Sequence, residues 1–168
     1  MRTLLVAIVA ALVLAGCASY DGRGLAPGST AAQVEAAMGK PADRVTKPDG
    51  SSVLYFSRNP VGRHVYAVTL GPDGAMRGIE QRLTLENINK LVIGTTTSKD
   101  VRDLFGPPDQ GSVTHFPLIQ QDAWEYRWLW FDDERVLWVY FSKDGVLRQF
   151  VNAHDFAAEK PSGGQSMP

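Results

Sequence analysis

Cysteine occurs once in the chain, as Cys17 behind Leu14-Ala15-Gly16. A thiolate is a strong nucleophile, able to accept a lipid as a thioether, and small residues ahead of it fit a narrow peptidase site. One cysteine allows no intramolecular disulfide and no cysteine-ligated metal. The remaining candidates for catalysis are scattered. His64, His115 and His154 lie far apart in sequence and lack the spacing of metal ligands. Asp132-Asp133-Glu134 falls between two strand-like runs and reads as a solvated turn. Ser51 and Ser52 have no nucleophile elbow around them, and no glycine-rich phosphate loop follows a strand. Catalysis needs a base, a group that orients it and a pocket. None can be assembled, so the expectation is a protein that is not an enzyme, with no cofactor and no metal.

Other residues suit binding. Leu137, Val139 and Phe141 alternate with Val136, Trp138 and Tyr140, which makes both faces of that run apolar. Arg127 and Leu129 share a parity on the run before it. Trp, Tyr and Arg are the usual anchors of protein interfaces, and an apolar patch on an open sheet marks one. Phe116, Leu118 and Ile119 lie in a loop at 111–122 and could enter lipid headgroups or a partner groove. Trp138, Tyr140, Arg127, Leu129, Phe116, Leu118 and Ile119 are the expected partner-binding set. Two plainer roles stay open: the Trp138 face could pack on the rest of the chain, and the loop could fold over its own sheet.

The elements that would position them come twice. Leu25, Gly28, Thr30, Val34, Gly39 and Pro41 return as Leu91, Gly94, Thr97, Val101, Gly106 and Pro108. Tyr55, Val65, Val68, Asp73, Gly74 and Arg77 return as Tyr126, Val136, Val139, Asp144, Gly145 and Arg148. The offset grows from 67 at the Gly-x-Pro to 71 at the tyrosine, which places an insertion in 111–122. The first copy carries only Ala67 and Thr69 where the second has Trp138 and Tyr140.

Thr30 and Thr97 each open a helix with the spacing of a capping box, and Gly39 and Gly106 sit where a helix ends. Alternation then predicts strands at 53–57, 65–70 and 75–82, and at 124–130, 135–142 and 146–151. Thr84 caps a linker helix with Leu85, Ile88 and Leu91 on one stripe. The expected fold is α+β: two tandem units, each a helix plus a three-stranded antiparallel meander, with the helices on one face of each sheet. The boundaries are 1–16 signal peptide, 17–24 lipidated cysteine and tether, 25–83 first repeat, 84–90 linker helix, 91–152 second repeat and 153–168 flexible tail.

The signal peptide rests on Arg2 followed by the uncharged apolar run Leu4 to Ala15, too short for an ordinary membrane-spanning helix. Without residues 1–16, which hold one basic residue, 16 basic groups face 18 acidic ones. Such a balance gives no sign of nucleic acid or of a polybasic membrane patch.

Leu14-Ala15-Gly16-Cys17 resembles the lipobox of bacterial lipoproteins. The resemblance implies cleavage before Cys17, a diacylglyceryl group on its sulfur, a fatty acid on its new amine, and stable anchoring by several chains. With Ala18 and Ser19 next and no aspartate there, it implies the periplasmic face of an outer membrane. The order Gly-x-Thr/Ser-x-x-x-Val, Gly-x-Pro, an aromatic strand and Asp-Gly before a last strand resembles the SmpA/OmlA (BamE-like) lipoprotein family. Gly28, Thr30, Val34, Gly39, Pro41, Tyr55, Asp73 and Gly74 carry it in the first copy. Gly94, Thr97, Val101, Gly106, Pro108, Trp124, Tyr126, Asp144 and Gly145 carry it in the second. It implies an accessory scaffold for outer-membrane protein assembly or envelope integrity, acting through contacts with envelope proteins. Two units in tandem also resemble the β-lactamase inhibitory proteins, which implies the alternative of an enzyme-binding module.

Overall fold

The computed structural model describes residues 20–158. The signal segment, Cys17 and the end of the tail lie outside these residues. In chain order the elements are α1 (Ala31–Met38), β1 (Asp43–Thr46), β2 (Ser52–Ser57), β3 (Val65–Leu70) and β4 (Met76–Gln81). They continue with α2 (Leu85–Ile88), α3 (Ser98–Phe105), a 3-10 turn (Gln110–Ser112), β5 (Val113–Phe116), β6 (Gln121–Trp130), β7 (Asp133–Ser142) and β8 (Leu147–His154). The fold is therefore mainly β, with two four-stranded antiparallel sheets ordered β1-β2-β3-β4 and β5-β6-β7-β8. This corrects the expected α+β pair of helix-plus-three-strand units.

The physical reason lies in β1 and β5. Each has four residues and sits at a sheet edge, and every residue of β5 is exposed. Backbone pairing to β2 and β6 holds them, so no apolar alternation announces them. The segment read as an insertion loop contains β5, and Phe116 is a strand residue. The helices contribute little, at eight, four and eight residues. Among the described residues no helix is long and apolar enough to cross a membrane.

The duplication holds at the level of single hydrogen bonds. Thr30 and Thr97 close capping boxes with Gln33 and Asp100. Such caps each stabilise a helix start by about 1 kcal/mol. The Gly28 amide donates to Met76 and the Gly94 amide to Leu147, each at 2.8 Å. Thr30 bridges Ala75 as Thr97 bridges Val146, which ties each helix start to the last strand of its own sheet. Bulges at Thr69/Leu70 and Tyr140/Phe141 also correspond.

The tyrosines do not correspond. Leu54 pairs with Val68 and Trp124 with Val139. The structural equivalents are thus Leu54 with Trp124 and Phe56 with Tyr126, one residue out of step with the sequence match. A shift of one residue changes the face of a strand. Tyr55 accordingly points away from α1, whereas Tyr126 points toward α3.

That difference joins the two units. Val34 and Met38 of α1 pack on Leu54, Phe56, Val68, Leu70 and Met76 of the first sheet. The opposite face of the same sheet, with Val53, Tyr55, Val65 and Ala67, shares a second core with α3, α2 and the inner face of the second sheet. Helix α3 is wedged between the sheets. Its last carbonyls lack helical partners, and two buried phenols supply them. Tyr55 donates to Asp103 O at 2.7 Å from one side, and Tyr126 to Gly106 O at 3.0 Å from the other. Arg102 of α3 adds an ion pair to Asp43 of β1 at 2.8 Å.

Candidate functional site

The face of the first sheet that receives α3 has its counterpart in the outer face of the second sheet. Cross-strand pairing places Ala123, Glu125, Arg127 and Leu129 of β6 with Glu134, Val136, Trp138 and Tyr140 of β7 on that face. Gln149 and Val151 of β8 complete it. Trp138 and Tyr140 are half-buried and belong to neither apolar core. Four sequence-predicted residues, Arg127, Leu129, Trp138 and Tyr140, thus come together on one face. Leu137, Val139 and Phe141 turn inward, as alternation requires.

The face is more polar than its strand pattern implied. Trp138 Nε1 donates to Glu125 at 3.1 Å, and Arg127 Nε donates to the other oxygen of that carboxylate at 2.8 Å. Arg127 also reaches Asp155 at 3.0 Å. Asp155, only 3 % exposed, lies 3.8 Å from Arg63, which pairs with Glu134 at 2.7 Å. This row of alternating charges holds the Trp138 indole at one edge in a fixed setting. Its hydrogen bond to Glu125 keeps the Arg127 guanidinium charged well above any working pH.

Arg63 comes from the 58–64 loop of the first unit, which also caps the free edge of β6: the Arg127 amide donates to Asn59 at 2.6 Å. Asp155 follows β8, beyond the point at which the sequence reading begins the flexible tail. A salt-linked, largely prearranged aromatic surface of this kind suits recognition of another protein, because little side-chain freedom is lost on binding.

Phe116, Leu118 and Ile119 are at the other end of β6. Phe116 closes β5, and Leu118 and Ile119 lie in the turn to β6. Leu118 is 99 % exposed and Ile119 61 %. Beside them His115 Nδ1 lies 2.6 Å from Asp122, at a cleft of about 300 Å³ lined by His115, Pro117, Gln120, Asp122 and Lys143. The three histidines stay apart: His64 stacks on Tyr66, and His154 pairs with Asp133 at 2.6 Å. The turn acids are not simply solvated, since Asp133 also pairs with Arg135 and both contacts hold its carboxyl below the usual range. Ser51 donates to Asp49 in a turn. Among the described residues no group of three or more possible ligands could hold a metal ion.

Sequence reasoning missed a set of exposed apolar residues. Val61, Trp130, Phe131 and Phe156 come from three segments that the Arg63–Glu134, Arg63–Asp155 and Arg127–Asp155 contacts gather at one end of the molecule. The available signal was Phe131 itself, an aromatic residue where a tight turn between two strands calls for a polar one. Comparison with family models, with characterised proteins and with solved structures finds no match for this chain, so the SmpA/OmlA resemblance stands on the residues quoted for it.

Proposed function

We propose that the protein is a lipid-anchored scaffold at the periplasmic face of an outer membrane. It serves outer-membrane protein assembly or envelope integrity by binding an envelope protein through the outer face of its second sheet. The observation that carries the binding surface is internal to the fold. The equivalent face of the first sheet is a protein interface already, filled by α3 of the second unit. On the second sheet that face bears Trp138, Tyr140, Arg127 and Leu129 instead of Ala67 and Thr69, and neither apolar core includes it. The lipobox-like Leu14–Cys17 supplies the anchor, which fixes orientation and raises local concentration near membrane partners.

The test is complementation in the native cell. Deletion is expected to weaken the outer-membrane barrier and lower the level of assembled barrels, and the wild-type chain to restore both. The Trp138→Ala, Tyr140→Ala double variant is expected to fold and be acylated normally yet fail to restore them. Full rescue by that variant would remove this surface from consideration. Tight inhibition of an envelope hydrolase, with no barrier defect on deletion, would favour the inhibitor-like alternative.

A further inference from the structure

The point at which the chain enters the fold selects which end of the molecule meets the bilayer. Tyr20 is three residues beyond Cys17 and is built into the first sheet. Its hydroxyl donates to Phe56 O at 2.7 Å and His64 O at 3.3 Å, and its ring lies under the Arg58 guanidinium at 4.3 Å and edge-on to Tyr66. Phe56 precedes the 58–64 loop and His64 ends it. A three-residue span reaches at most about 11 Å, so a lipid on Cys17 holds the 58–64 end of the molecule against the membrane.

Apolar side chains from three segments stand in the open at that end. Phe131 is 87 % exposed, Phe156 75 %, Val61 91 % and Trp130 44 %. Phe131 also occupies a two-residue turn at φ +54°. A bulky residue there is a backbone outlier where Asn or Gly would be at ease, and strain of this sort points to use rather than packing. Phe116, Leu118 and Ile119 are at the opposite end of β6, a ten-residue strand about 30 Å long.

We infer that Phe131, Phe156, Trp130 and Val61 form a second membrane contact that seats this end of the protein in the lipid headgroup layer. Of the four, Trp130 carries the amphipathic ring favoured at that depth, and Phe131, Phe156 and Val61 add apolar contact. The acidic turn fits uncharged headgroups rather than anionic ones. Asp133 is paired with Arg135 and His154 and Glu134 with Arg63, and exposed Asp132 offsets the exposed Arg58, so this end carries no basic excess to draw a negative surface. The inference rests on the lipid-anchor reading. It turns the insertion turn, with Leu118, away from the bilayer and stands the Trp138 face roughly upright beside the membrane.

The test uses the full acylated chain reconstituted in phosphatidylcholine–phosphatidylethanolamine vesicles. Cys17 is the only cysteine, so once it is acylated a single introduced cysteine takes a spin label alone. Labels at Phe131→Cys, Phe156→Cys and Leu118→Cys are compared for collision with oxygen, which concentrates in lipid, and with a nickel chelate, which stays in water. The expected result is a higher oxygen-to-nickel ratio at 131 and 156 than at 118, lost when the protein is moved to detergent-free buffer after removal of its acyl chains. Equal ratios at all three sites, or the highest at 118, would overturn the inference while leaving an acylated Cys17 in place. An unmodified Cys17 in the mass spectrum of the native protein would overturn the anchor and the inference together.

Discussion

Replacing Tyr55 with Phe removes one hydroxyl and nothing else, yet it should loosen the half of the molecule in which Tyr55 does not reside. The Tyr55 phenol belongs to the first sheet and donates to Asp103 O in α3, while its ring packs on Gly106. Loss of the bond costs about 1 kcal/mol net, and the part-buried carbonyl left without its donor can raise this toward about 2 kcal/mol. With a urea slope of about 1.5–2 kcal/mol/M for a protein of this size, the midpoint should fall by roughly 0.5–1.3 M. All four tryptophans, Trp124, Trp128, Trp130 and Trp138, lie on β6 and β7 of the second sheet. Tryptophan fluorescence therefore reports the second unit, and far-ultraviolet circular dichroism reports both. If the shared core makes one cooperative body, the two probes should coincide before and after the substitution and shift together. A fluorescence midpoint that stays put while the dichroism midpoint falls would show that the sheets unfold independently, and would refute the grip of α3 from both sides.

Other consequences are more local. Gly39→Ala and Gly106→Ala both force a Cβ into a backbone conformation that favours glycine, at φ +87° and +80°, at about 1–3 kcal/mol. At Gly106 the new methyl would also meet Tyr55 at 3.0 Å, whereas Gly39 faces open space, so thermal melts should rank Gly106→Ala lower by at least about 1 kcal/mol. Burial raises the pKa of Tyr126 and Tyr55, and pushes Tyr20 up to about 12. The unfolded chain ionises its tyrosines near pH ~10, so this part of the stability is complete below that pH and is lost as pH rises toward the folded values. Melting temperature should accordingly drop between about pH 10 and 12, and Tyr126→Phe should flatten the drop.

Most of the regular structure was legible because caps and alternation agree locally. The Thr30 and Thr97 helices, the Thr84-capped linker helix and six of the eight strands follow from those signals. β1 and β5 were not legible, since edge strands of four residues held by backbone pairing leave no apolar trace. That omission turned a β protein into an expected α+β one. The match of Tyr55 to Tyr126 was chemically apt and structurally misleading. Both phenols grip the same helix end, but from opposite sheets, and only the pairing register separates the two cases. The Trp138 face was readable from parity alone. Its charge row was not, because Arg63 and Asp155 reach it from a loop of the other unit and from the segment after β8. The aromatic end escaped for the same reason: four residues from three segments acquire a common meaning only once Tyr20 shows where the chain enters.

Binding of an envelope protein by the outer face of the second sheet can be read by photo-crosslinking in intact cells from positions 138 and 140, with position 67 of the first sheet as the control. A discrete protein adduct is expected from 138 and 140 and none from 67, because Ala67 is fully buried on the face of the first sheet that packs against α3. Absence of protein adducts at 138 and 140, in cells where the protein is folded and acylated, would contradict it.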